Sequence, residues 1–133
     1  MSPIQELGPN QEKWLHDLET TEEPQGQRYL CRMENGKPVG WCCLGRAVAV
    51  LEPELEQETR YHSIRDGYIR YFGSRSSVIP ESTEQLLKLY NYCKCINMND
   101  RLGYSFKQIA EVIRKDPASF FHRTSLRNSN EHP

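Results

Sequence analysis

The tetrapeptide Glu34-Asn35-Gly36-Lys37 constrains the fold of this chain more than any other stretch. Asn and Gly both tolerate the positive φ that a two-residue type I′ turn demands, so the runs on either side are set antiparallel. Arg28–Met33 alternates enough to supply the first strand, and Val39–Cys43 returns as its partner. Behind it, Leu44, Ala47, Val48 and Leu51 fall at helical spacing, which predicts a short apolar helix over 44–51. The strand-to-helix junction reads Trp41-Cys42-Cys43-Leu44-Gly45.

The remaining pattern adds helices and a second hairpin. Asn10 can cap a helix over 11–19 that carries Trp14, Leu15 and Leu18 on one face. Asp66-Gly67 is a second hairpin turn within 61–72, flanked by His62, Ile64, Tyr68 and Tyr71. A helix is expected from Pro80 or Ser82 to about Tyr90, and 92–98 fits strand and helix equally. Ser105 caps a helix over 106–115, where Phe106, Ile109, Ala110 and Ile113 form an i, i+3, i+4, i+7 stripe. Pro117 follows its end, and Phe120 and Phe121 are expected to pack back. The predicted fold class is α+β: a small antiparallel sheet from two hairpins, covered by three to four helices. Trp14, Trp41, Leu44, Phe106, Ile109 and Ile113 are the expected core. Residues 1–123 are expected to form one domain, and 124–133, apolar only at Leu126, a flexible tail.

Composition narrows the function classes. A chain of 133 residues suits one domain with a real core. No apolar run approaches the roughly 20 residues needed to span a bilayer, so no membrane association is expected. Met1–Glu6 has neither a positive n-region nor an apolar h-region, which points to the cytosol. Charge is uneven: residues 1–59 carry five Lys/Arg against eleven Asp/Glu, and 60–133 carry twelve against seven. A basic second half can meet an anionic partner, although such runs are more often solvated faces. The five cysteines should be reduced in the cytosol. Adjacent Cys42-Cys43 and the Cys93-x-Cys95 spacing are not zinc knuckles, and buried packing is the expected role, with no metal and no cofactor.

The order of these features resembles a family of short bacteriophage proteins. Those proteins carry a Cys-Cys-Leu-Gly segment, matched here at 42–45. They also carry an Asn-Asp…Gly-x-Ser-Phe-x-x-Ile-Ala-x-x-Ile segment, matched at Asn99-Asp100…Gly103-x-Ser105-Phe106-x-x-Ile109-Ala110-x-x-Ile113. Trp14, Ile79-Pro80-Glu81 and Asp116-Pro117 with Phe120-Phe121 complete a likeness over most of 14–121. Two positions depart from the pattern. Arg46-Ala47-Val48-Ala49-Val50 replaces a Val-rich stretch with a further Cys and Asp, and Met98 replaces a Leu. The resemblance implies a phage protein acting in a bacterial cytoplasm and a shared fold. It supplies no catalytic residues.

Four candidates for chemistry remain. Arg60, Arg65, Arg70 and Arg75 recur at five-residue steps among Tyr61, Tyr68, Tyr71 and Phe72. Arginine pairs bidentately with phosphate and aromatic faces stack on bases, so Arg60, Arg65, Tyr68, Arg70 and Tyr71 are the expected contact surface. The second candidate is a helix-turn-helix over 105–128, whose second helix would start at Phe120 and present His122, Arg123 and Arg127 to DNA. Two large aromatics at the start of a recognition helix argue against it. The third is a nucleophilic Cys42 or Cys43 with His62 as base, which lacks any cysteine-hydrolase signature. The fourth, the Asn99-Asp100…Gly103 segment, reads as a structural turn before a helix. Binding is therefore expected rather than catalysis. The partner would be a host bacterial protein or a small anionic ligand such as a nucleotide signal, with nucleic acid and self-association left open.

Overall fold

The computed structural model describes residues 7–27, 30–34, 37–55 and 79–122. The second hairpin expected over 61–72 and the tail expected over 124–133 lie outside them. The fold is a small α+β one. Helix α1 (Pro9–Thr20) precedes the hairpin of β1 (Cys31–Glu34) and β2 (Lys37–Trp41), which leads into α2 (Cys43–Leu51). Then come α3 (Glu81–Leu87), α4 (Tyr92–Ile96) with a π-helical continuation at Asn97–Arg101, and α5 (Phe106–Lys115) with a 3-10 turn at Pro117–Ser119.

β1 and β2 pair antiparallel, Cys31 opposite Trp41 and Glu34 opposite Lys37, as the turn chemistry predicts. Arg32 faces Gly40 while Met33 faces Pro38, so Val39 is the extra residue of a bulge. The strand ends two residues earlier than its alternation suggests, because Cys43 already belongs to α2. On the other side of β2, Trp41 N–H donates to Pro24 O at 2.8 Å and Gly26 N–H to Trp41 O at 2.7 Å. The hairpin is thus held from both sides at the residue that launches α2.

The helices close the core. Trp14, Leu15 and Leu18 of α1, Leu44, Ala47 and Val48 of α2, and Phe106, Ile109, Ala110 and Ile113 of α5 share one hydrophobic cluster with Trp41, Phe120 and Phe121. All six residues expected to form the core belong to it. Burying side chains of this size stabilises the fold by roughly 1.5–3 kcal/mol each. Trp14 meets Phe121 edge to face at 6.4 Å between ring centroids. Ser105 and Gln108 form a reciprocal capping box at the start of α5.

Further local outcomes correct or complete the sequence pattern: Gly8, not Asn10, is the N-cap of α1, with Pro9 opening the helix. α3 stops at Leu87 instead of running to Tyr90, since Lys88 turns left-handed at φ 56° and Leu89 pairs with Phe121. The buried Gln11 side chain takes up the Leu87 carbonyl at 2.8 Å, which satisfies a helix end across 76 residues. The ambiguous 92–98 stretch is helical, and the π turn lets Asn99 point inward, buried at 1% exposure.

Candidate functional site

The Cys42–Gly45 segment and the Asn99–Phe106 segment meet inside the molecule. At the first, Cys42 N–H donates to Leu30 O at 3.0 Å, and Cys42 adopts the extended conformation of an N-cap. Its sulfur accepts from Gly45 N–H at 3.3 Å, a weak version of the oxygen cap that Ser or Asp supplies. Cys43 is fully buried. Its carbonyl accepts from Trp14 Nε1 at 2.9 Å, and its thiol reaches Cys95 O at 3.7 Å. A Cβ on Gly45 would lie 1.9 Å from Leu30 O, so only glycine admits this strand-to-helix approach.

Electrostatics at this junction disfavour a thiolate. Burial, then the neighbouring Cys43, pushes the Cys42 thiol far above its ordinary range. The Cys43 thiol is also raised, first by its hydrogen bond with Cys95 and then by burial. A thiol is nucleophilic only as its anion, and low-pKa cysteines sit in electropositive, partly exposed surroundings that neither residue has. His62, the base of the nucleophilic reading, lies outside the described residues.

The second segment supplies the polar centre. Asn99 Oδ1 accepts from Gln25 Nε2 at 2.9 Å and from Cys43 N–H at 3.3 Å. Asn99 Nδ2 donates to Gly26 O and to Asp100 Oδ1, both at 2.8 Å. All four hydrogen-bonding directions of this buried amide are therefore used. Gln25 extends the network, donating to Tyr104 O at 2.8 Å and accepting from Phe106 N–H at 3.0 Å. One side-chain network thus supplies acceptors at the first turns of both α2 and α5. Asn99 was expected only as a turn residue; its partners at 25, 26 and 43 are too distant in sequence for local spacing to reveal.

Two arginines tie α1 to its neighbours through ion pairs. Arg46 forks onto Asp17 at 2.9 and 2.8 Å and lies 4.8 Å from the Trp41 ring centroid. Burial works against the Arg46 charge, and Asp17, with Glu23 and Cys31 adding to it, more than offsets that effect. Arg114 of α5 grips Glu19 and Glu12 together, with contacts of 2.5–3.1 Å. The guanidinium of Arg114 holds the Glu12 carboxyl below its ordinary range.

Of the expected surface residues, Arg60, Arg65, Tyr68, Arg70 and Tyr71 lie outside the described residues, as do Arg123 and Arg127. His122 is described, and it does not open a helix. Residues 117–119 make the 3-10 turn, Phe120 and Phe121 are buried, and Phe121 bridges to Leu89. His122 N–H donates to Lys88 O at 2.7 Å, and its ring lies 5.1 Å from that of Tyr90. The second helix expected from Phe120 is thus absent over 120–122, where Phe121 packs on Trp14 of α1 and pairs with Leu89 while the Phe120 ring meets Lys94. Beside this pairing lies an open cleft of about 490 Å³, lined by Glu81, Glu84, Lys88, Tyr90 and His122 among others.

Among the described residues, no three His, Cys, Asp or Glu side chains are grouped to hold a metal ion. No helix among them is long and apolar enough to cross a membrane. No family model matches this chain, and comparison with curated proteins and with solved structures yields no match.

Proposed function

We propose that the protein acts by binding, as a phage accessory protein that occupies and thereby inhibits or redirects one host component in the bacterial cytoplasm. The component is a host protein or a small anionic ligand such as a nucleotide signal. The observation that supports this reading is the structural use of the residues with chemical potential. Cys42 and Ser105 cap helices, Cys43 and Asn99 are hydrogen-bonded in the core, and the two adjacent thiols are pushed up, Cys42 by burial and Cys43 by its hydrogen bond with Cys95 and by burial. Function is then assigned to the arginine- and tyrosine-rich stretch of the sequence, where Arg60, Arg65, Arg70, Tyr68 and Tyr71 are residue types that pair with phosphate and stack on bases.

The test is affinity capture from host lysate, read by mass spectrometry for proteins and small molecules, with a nuclease-treated control. A stoichiometric host protein or a nucleotide should co-purify and survive nuclease. Arg65→Glu with Arg70→Glu should abolish capture at least tenfold, while Arg123→Glu with Arg127→Glu leaves it intact. Capture of nucleic acid alone, lost on the second pair and not the first, would overturn the reading in favour of a DNA-binding regulator.

A further inference from the structure

We draw no further inference here: the strongest candidate, the open cleft between the exposed face of α3 and the Leu89–Phe121 pairing, sets Glu81 and Glu84 beside Lys88 and the Tyr90–His122 rings, and nothing in the structure shows what covers it or which sign of charge it would take.

Discussion

The Cys42–Gly45 junction and the Asn99–Ser105 segment solve one problem by different means. Each must start a helix against packed neighbours and leave no buried backbone N–H unpaired. The first relies on shape. Gly45 lets α2 press against the Leu30 carbonyl, and a thiol serves as the cap. The second relies on polar satisfaction. A fully bonded Asn99 and a Ser105–Gln108 box hold α5, and Asn99 reaches across to Cys43 N–H. A steric junction tolerates no added atom, whereas a hydrogen-bonded one tolerates no lost atom. Substitutions can separate these two failure modes.

The largest effect is expected at the steric junction. Gly45→Ala places a methyl group inside contact distance of a backbone carbonyl, which no rotamer change relieves. The loss should be about 3 kcal/mol or more, at the upper end of overpacking costs. Urea unfolding of the purified variant measures it. A change under about 1 kcal/mol would mean that α2 can move away from Leu30 at little cost.

Asn99→Ala comes next. It removes an acceptor from Cys43 N–H and a donor from Gly26 O, both at a site buried to 1% exposure. Unsatisfied buried groups cost about 1–3 kcal/mol each, so a total of about 3 kcal/mol is expected after partial relaxation. Hydrogen exchange should localise the damage, with the first-turn amides of both α2 and α5 losing protection. Loss confined to one helix would break the claim that a single network supports both.

The smallest effect belongs to the exposed clamp. Arg114→Ala should cost at most about 1 kcal/mol at neutral pH, because the pair with Glu12 and Glu19 is substantially solvated. Its pH signature is more telling. Glu12 is depressed when folded, so the unfolded chain binds more protons as the pH falls below the ordinary glutamate value of about 4.3. The clamp's contribution is complete above that value and is lost as pH falls through the folded one. The stability gap between the native chain and Arg114→Ala should therefore shrink as the pH is taken from neutral to below about 4.3. A gap that stays constant over this range would assign the effect to packing of the arginine stem.

The same contrast explains what could be read from the residues alone. Asn35-Gly36, the Phe106–Ile113 stripe and the Ser105 cap are local signals, with cause and effect a few residues apart, and each element appears where its chemistry predicts. The junction was visible as a motif but not as a mechanism. Cysteine is not a usual N-cap, and the atom that demands glycine at 45 belongs to Leu30. The early end of α3 depends on Gln11 and Phe121, and the burial of Asn99 on Gln25 and Gly26. These are tertiary partners that no periodicity encodes. Of the candidate contact surface, the residue types were legible from sequence and their arrangement was not.

Thiol alkylation of the native protein, resolved by peptide mass spectrometry, tests the central claim most directly. Cys93 is exposed, while Cys42, Cys43 and Cys95 are buried; burial raises the Cys42 thiol, and the Cys95 hydrogen bond together with burial raises that of Cys43. Iodoacetamide at neutral pH should therefore modify Cys93 within minutes and reach Cys42 and Cys43 only on the timescale of unfolding, with all sites equalising in denaturant. Fast labelling of Cys42 or Cys43 in the folded protein would contradict a structural junction and restore a reactive cysteine to the site.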